Sequence, residues 1–273
     1  MRDEISLILL AGEIPARATI LQMLQSNQIY LGDCLEVMKF IPDKSIDLIL
    51  ADLPYGTTAC KWDTIIPFES LWNQYERIIK DNAAIILTAS QPFTSLLVTS
   101  NLKMFRYSLV WEKSMPSDVF MAKRKPLKYH EDILVFYKNQ PTFNPIRQER
   151  SDVGKDRLKN NGTVLMGTKK SNITNYQHTG VRLSYDENTI NPKSVIKIGS
   201  VPNCNGTKLH PTQKPVALME YLIKTYTNEN DLVLDNCFGS GSTLVAAKNL
   251  NRQFIGVEKE EKYFNIAKER LNL

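Results

Sequence analysis

Asp52-Leu53-Pro54-Tyr55 places an acceptor, a donor-free turn and a flat ring within four consecutive residues. The Asp52 carboxylate can accept a hydrogen bond from an amino group. Pro54 has no N–H, so the turn offers carbonyl oxygens, those of Leu53 and Pro54, rather than donors. Tyr55 presents a face on which a planar ring can stack. Together these groups can hold an exocyclic amino group and the aromatic base that carries it, which points to chemistry at a nucleobase nitrogen. For Tyr55 alone, a core ring capping the preceding strand is the plainer reading; its neighbours favour stacking.

A second constellation follows far along the chain, at Asp235-Asn236-Cys237-Phe238-Gly239-Ser240-Gly241-Ser242-Thr243. Two glycines let backbone approach a ligand closely, and the helix expected after them adds N–H donors and positive potential. A glycine pair alone is equally well a structural turn. Here the next apolar run, 254–257, ends in Glu258, and an acid at that place can accept both hydroxyls of a ribose. Taken singly, Glu258 reads as a solvated acid beside Lys259 and Glu260. The two signals together favour a nucleoside cofactor over a bare turn, and the lack of a GxGxxG pattern disfavours a dinucleotide.

The elements that must position these groups are legible as alternating apolar runs. The pattern predicts strands at 29–31, 46–51, 83–87, 107–111, 133–137, 232–234 and 254–257. It predicts helices near 35–40, at 68–80, 92–99, 216–226, 243–250 and 263–271. Such alternation implies a largely parallel sheet covered on both faces, with the run before Asp52 as a buried strand whose C-terminal end is where ligands of open α/β sheets bind. Residues 1–27 contain a short helical pattern at 18–25 with no assigned role. Between 141 and 209 the periodicity dissolves into Asn, Thr, Lys, Gly and Ser, which predicts a long loop or an inserted module with little helix.

The motifs, in their order, resemble a known family. Residues 52–55 look like the DPPY motif of amino-methyltransferases, 238–241 like their FxGxG motif, and His210-Pro211-Thr212-Gln213-Lys214-Pro215 like their HPTQKP segment. Catalytic motif first, variable region next and cofactor loop last is similar to the β group of DNA N6-adenine and N4-cytosine methyltransferases. The resemblance runs from about residue 28 to the C-terminus. It implies a Rossmann-like α/β fold with a seven-stranded, mostly parallel sheet, a reversed hairpin and helices on both faces, plus an inserted target-recognition region. It divides the chain into an N-terminal extension (1–27), a catalytic half (28–140), a variable target-recognition region (141–209) and a cofactor-binding half (210–273).

The resemblance implies S-adenosylmethionine as cofactor and a flipped adenine in double-stranded DNA as substrate. Asp33 would lie near the cofactor's adenine, with Thr212 and Lys214 near its other end. Asp235, Phe238, Gly239, Gly241, Ser242 and Glu258 would complete the cofactor site, and Asp52, Leu53, Pro54 and Tyr55 the catalytic one. Leu53 stands where the usual motif has proline. That position contributes mainly a carbonyl, so leucine is expected to keep the chemistry with a looser turn. Asp52, rather than the serine common in N4-cytosine enzymes, favours adenine. An N4-cytosine enzyme and a DNA-binding protein without turnover remain the alternatives. Protein-glutamine and ribosomal-RNA methyltransferases resemble the opposite motif order.

Composition sets looser bounds. The net charge of +5 permits a nucleic-acid partner without requiring one. The basic residues of 141–209 outnumber the acidic ones, and Lys123-Arg124-Lys125 forms a second cluster; both suit phosphate contacts. No apolar run is long enough for a membrane span. The segment 5–11 is a poor signal peptide, so a bacterial or phage-infected cytoplasm is the expected compartment. Cys34, Cys60, Cys204 and Cys237 show no metal-binding spacing and read as buried structural thiols. His130-Glu131 lacks further ligands for a metal, so a structural role, or one supporting site residues, is the better reading. The resemblance also admits a homodimer and a cognate restriction endonuclease as partners.

Overall fold

Alternate side chains of a strand face opposite ways, and the central strands of this chain are apolar on both sides. In the computed structural model, which describes residues 24–58, 60, 63–161, 188–202 and 208–273, they form one eight-stranded sheet. Its order is β1 (Gln28–Leu31), β10 (Gln253–Glu258), β9 (Leu232–Asp235), β2 (Ile46–Ala51), β3 (Ile79–Ala89), β5 (His130–Phe136), β4 (Phe105–Glu112) and β8 (Val195–Lys197). The five strands from β1 to β3 are parallel. β5 runs antiparallel to both β3 and β4, which is the expected reversal.

Two helical layers cover the sheet. Leu48 and Leu50 of β2, with Ile86, Ile133 and Val233, pack under α5 (Val216–Tyr226), α6 (Ser242–Asn249) and α7 (Glu261–Leu271). Ile49 and Ala51, with Ile85, Leu87 and Leu134, pack under α1 (Cys34–Met38), α2 (Phe68–Ile78) and α3 (Phe93–Ser100). α2 shows why such a segment is a helix: Leu71, Trp72, Tyr75 and Ile78 recur at helical spacing and are all buried. Its Tyr75 hydroxyl donates to Asn236 Oδ1 at 2.6 Å, tying this layer to the loop after β9.

β2 and β9 are neighbours, paired at Leu48–Val233 and Ile49–Leu234. From β2 the sheet grows through β3 to one side; from β9 it grows through β10 to the other. This is the switch point at which open α/β sheets bind ligands. It brings Asp52 and Asp235, far apart in sequence, to adjacent strand ends.

The structure corrects three expectations. The sheet has eight strands rather than seven, because Val195–Lys197, inside the segment read as irregular, pairs parallel with β4. Three residues are too short to show periodicity. β3 begins at Ile79, directly after α2, so the predicted helix end at 80 and strand start at 83 are both displaced. Within 141–209 the described residues include one short helix, α4 (Asp152–Asn161), in keeping with a module of little helix; with only Val153 and Leu158 apolar, it has no stripe to read. Among the described cysteines, Cys60 is exposed rather than buried, and Cys34 and Cys237 are half-buried. Cys204 and most of the helical pattern at 18–25 lie outside the described residues.

The chain divides into two units: Pro145–Lys193, and the rest, Met1–Asn144 with Ser194–Leu273. The smaller unit holds α4 and an antiparallel pair, β6 (Gln148–Glu149) with β7 (Thr189–Ile190), closed by the Arg150 N–H donating to Asn188 O at 2.7 Å. Among the described residues no helix is long and apolar enough to cross a membrane.

Leu53 continues the parity of Ile49 and Ala51 and is buried in the core under α1–α3, only 3% exposed. The turn without its usual proline is therefore anchored by packing. Leu53→Ala should lower the unfolding free energy by about 2–5 kcal/mol, read as a shift in urea midpoint at constant slope. A change within error would show that the leucine is not an anchor.

Candidate active site

The residues that end the strands on the α5–α7 side carry the polar chemistry. Asp52 continues the parity of Leu48 and Leu50, Thr88 that of Ala84 and Ile86, and Glu131 that of Ile133 and Val135. Lys113 follows Trp111, Asp235 follows Val233, and Glu258 follows Phe254 and Gly256. All six line one cavity of about 1210 Å³ at the C-terminal edge of the parallel strands. Of the residues predicted from sequence, Asp33, Asp52, Leu53, Pro54, Tyr55, Thr212, Lys214, Asp235, Phe238, Gly239, Ser242 and Glu258 border it; Gly241 does not.

Asp52 is densely solvated by protein. Its Oδ1 accepts from the Tyr55 hydroxyl at 2.8 Å and from the Thr88 hydroxyl, and its Oδ2 from Lys214 Nζ at 2.5 Å. Lys214 also pairs with Glu131 at 3.3 Å, and Glu131 with Lys113 at 3.0 Å. Two ammonium groups and two carboxylates thus alternate in a chain. Burial alone would push Glu131 up, but Lys214 and Lys113 more than offset it and its carboxyl lies below the usual range. Burial alone would lower Lys214, yet Asp52, Tyr55 and Glu131 hold it well above the ordinary lysine value. Burial and then the Asp52 charge push the Tyr55 phenol up, which keeps it a donor.

The Tyr55 ring stacks on Phe93 with centroids 5.0 Å apart. The loop beyond it is held by Asp63, whose carboxylate accepts from the N–H groups of Gly56, Thr57 and Thr58 at 2.9, 2.9 and 2.7 Å. Burial would raise the Asp63 carboxyl, but a hydrogen bond from the Thr58 side chain, together with those backbone bonds, draws it below the usual range.

On the other side, Glu258 Oε2 accepts from the Gly239 N–H at 2.8 Å, and Oε1 from the N–H groups of Lys259 and Glu260 at 2.8 and 2.9 Å. Burial nevertheless raises its carboxyl above the usual range. Asp235 is raised further, to about 7, chiefly by burial. Gly241 caps α6 at φ +80°, and a Cβ there would stand 2.9 Å from Ala267 Cβ of α7. Its glycine requirement is therefore conformational and steric, set by helix packing. The Phe238 ring is buried against β10: a Cβ on Gly256 would meet Phe238 Cδ1 at 2.7 Å and Leu244 Cδ1 at 2.4 Å. Asp33 caps α1, accepting from the Leu35 N–H at 2.9 Å.

His210 holds the segment before α5 in place. Its Nδ1 lies 3.2 Å from the Thr212 N–H donor and 3.0 Å from the Thr212 hydroxyl, and its ring meets Tyr263 edge-on at 4.1 Å. Burial lowers it to about 4, so the imidazole is neutral near pH 7.

A family model described as DNA methylase, for the N6 and N4 enzymes, matches residues 46–269. The chain belongs to this DNA methylase family. Type II methyltransferase M.HinfI of Haemophilus influenzae is 29% identical over 290 residues, covering 90% of this chain and 68% of that protein. Type II methyltransferase M.BglII of Bacillus subtilis is 32% identical over 267 residues, covering 88% and 68%. Among solved structures, M1.HpyAVI complexed with SAM superposes with a TM-score of 0.59 at 28% identity, covering 90% of this chain and 99% of that one. The cytosine-N4-specific PvuII DNA methyltransferase superposes at 0.57 with 16% identity, covering 92% and 94%, which is a likeness of fold.

Within this DNA methylase, Thr88, Lys113, Glu131, His210 and Asp63 were not singled out from sequence as site residues. Strand parity could have found Thr88 and Glu131, because each follows a run whose facing is set by its apolar residues. Asp63 carries no such signal, since it acts through loop N–H groups. Lys214 was expected near the cofactor; in this structure its ammonium rests on Asp52.

Removing Lys214 leaves Asp52 without its ion pair and Glu131 with Lys113 alone. Lys214→Met should cost about 3–5 kcal/mol of stability near neutral pH. Glu131 is depressed, so its contribution is present above its ordinary value of 4.5 and is lost as pH falls through its lower folded value. The difference between variant and wild type should therefore shrink in acid; a deficit independent of pH would refute the ionic origin. Asp235 has the opposite sign. Raised from 3.8 to about 7, it favours the folded state fully below 3.8, and that contribution is lost as pH rises through about 7. Asp235→Asn should flatten this decline in denaturation curves from pH 4 to 8.

Proposed function

We propose that this protein transfers a methyl group from S-adenosylmethionine to the N6 amino group of adenine in double-stranded DNA, at a specific site. Site-specific methylation of a DNA amino group is the family's reaction, and S-adenosylmethionine its cofactor. The observation that carries the adenine reading is Asp52, held as an acceptor beside Tyr55 at the same cavity edge as the Glu258–Gly239 loop. An aspartate at that position, where N4-cytosine enzymes commonly have serine, supports adenine.

The residues present fit the cofactor. Glu258, after accepting three backbone N–H groups, keeps one acceptor position, on Oε2, for a ribose hydroxyl. The Ser242 hydroxyl, buried at the start of α6, has no hydrogen-bond partner among the described residues. Burial raises both Asp235 and Glu258, and a cation bound beside them would favour their ionised forms. When bound, the cofactor supplies an electrophilic sulfonium methyl.

The chain's own groups orient the nucleophile. An ionised carboxylate has about four acceptor positions. Tyr55, Thr88 and Lys214 fill three of those on Asp52, leaving one, on Oδ2, for the incoming N–H. The Leu53 or Pro54 carbonyl takes the second N–H. Two acceptors so placed favour a pyramidal nitrogen whose lone pair is free, and holding it in line removes much of the entropic barrier. Tyr55 stacks on the base, itself backed by Phe93. The base leaves the duplex first, at a cost of roughly a few kcal/mol. Residues 141–209, with eleven basic side chains against five acidic, serve as the target reader.

Nucleoside mass spectrometry of unmethylated DNA, after incubation with the protein and labelled S-adenosylmethionine, tests the proposal. Labelled N6-methyladenine is expected. Asp52→Asn, which replaces a charged acceptor by a neutral amide, should lower kcat by about a hundredfold or more with cofactor affinity retained. Labelled N4-methylcytosine instead would overturn the adenine assignment. Cofactor binding with no labelled base would overturn turnover itself.

A further inference from the structure

Residues 113–129, which join β4 to β5, form a loop stapled along its length. The Lys113 N–H donates to Tyr129 O at 2.7 Å and the Ser117 N–H to Lys128 O at 3.1 Å. The Lys128 N–H donates to Asp118 Oδ1 at 2.8 Å, and Asp118 Oδ2 pairs with Lys125 Nζ at 2.5 Å. These bonds fix a short 3-10 turn at Val119–Met121, closed by the Met121 N–H on Asp118 O at 2.8 Å. On that turn Phe120 is fully exposed and Val119 more than half exposed, as is Met115 earlier in the loop.

A lone apolar side chain on a surface needs no explanation. Three within six residues, on a loop held by five such contacts, are held out in water by the structure itself. Lys123, Arg124, Lys125 and Lys128 follow, while Asp118, the single acid of 113–129, is occupied by Lys125 and the Lys128 N–H. The same loop walls the active site: Met115, Ser117, Asp118, Lys125 and Lys128 line the cavity that contains Asp52 and Tyr55.

We propose that Phe120 is a wedge that enters the base stack of duplex DNA where the target nucleotide leaves it, with Lys123 and Arg124 on the neighbouring phosphates. The inference rests on the DNA-methylating function proposed above. A ring followed by cations matches a duplex, apolar and stacked within and anionic outside. Continuity with the cavity selects DNA over a protein partner, because the base that must enter the cavity leaves its gap in the stack beside this loop. Phe120 touches no reacting atom, so it is a positioning residue; it stabilises the extruded state by occupying the vacated space.

The test uses the full chain, the methylation site mapped on wild-type product, and two duplexes. One is fully paired; the other carries an abasic nucleotide opposite the target base, which makes extrusion easier. Phe120→Ala should lose roughly tenfold or more in kcat/KM on the paired duplex and recover most of it on the abasic one. Phe120→Trp should keep activity on both, and the unfolding midpoint of Phe120→Ala should match wild type. Lys123→Ala with Arg124→Ala should reduce the salt dependence of DNA binding by about two phosphate contacts. Full activity of Phe120→Ala on the paired duplex overturns the wedge. So does an equal loss on both duplexes, or a changed oligomeric state with unchanged DNA behaviour, which would assign the turn to a protein contact. An inactive wild-type protein would instead sink the methyl-transfer reading and the wedge with it; an active wild type with an indifferent Phe120 sinks the wedge alone.

Discussion

The site is organised around one buried ammonium. Lys214, 8% exposed, reaches Asp52 from the segment before α5 and leans on Glu131 at the start of β5. Three elements distant in sequence meet there, and Lys113 balances the second carboxylate. An isolated charge in such a place would be prohibitive, and even paired charges bring less stability than well-packed apolar groups of similar size. Their value is in holding Asp52 still. The apolar neighbours on the same strands, Leu50, Ile86, Val135 and Trp111, provide the packing that offsets this cost.

Strand parity is what makes the arrangement possible. The layer under α5–α7 is apolar until the strands run out, and the next residue of the same parity is polar in each case. Six strand ends therefore deliver their functional groups to one side of the sheet edge. The two parts of the cavity then differ in charge. Around Asp52 carboxylates and ammonium groups alternate, so the region is close to neutral. Around Asp235 and Glu258 burial opposes ionisation and no lysine or arginine pairs with either among the described residues. A neutral base suits the first part and a cationic cofactor the second.

Most of this was legible in the sequence because it was written in periodicity and in compact motifs. Residues 46–55 read as a strand with a polar end, and 232–243 as a strand, a glycine turn and a helix; both stand as expected. What escaped was of two kinds. Some elements were too short or too polar for a pattern, as with Val195–Lys197 and α4. Some roles depended on which distant groups meet: Glu131 is an unremarkable acid in its own run, and becomes part of the site only because β5 lies beside β3. Gly241 was legible as necessary, and the structure adds a second reason, the approach of Ala267 of α7, a contact no local spacing reveals.

The hydrogen-bond inventory of Asp52 also bears on its chemistry. A carboxylate acting as a strong general base would need an open oxygen and little compensation of its charge. Here Oδ1 is occupied by two hydroxyls and Oδ2 carries an ammonium, so proton abstraction before bond formation is poorly served. An amino nitrogen conjugated with its ring gains more from being held pyramidal than from losing a proton early, and the proton becomes acidic once the new N–C bond forms. For the reaction proposed above, this favours orientation first, with Asp52 and a backbone carbonyl as the two acceptors, and proton release afterwards. It also explains how leucine can replace proline at residue 53. In the proposed reaction the position supplies a carbonyl, and the Leu53 side chain, buried in the core, holds that carbonyl in place.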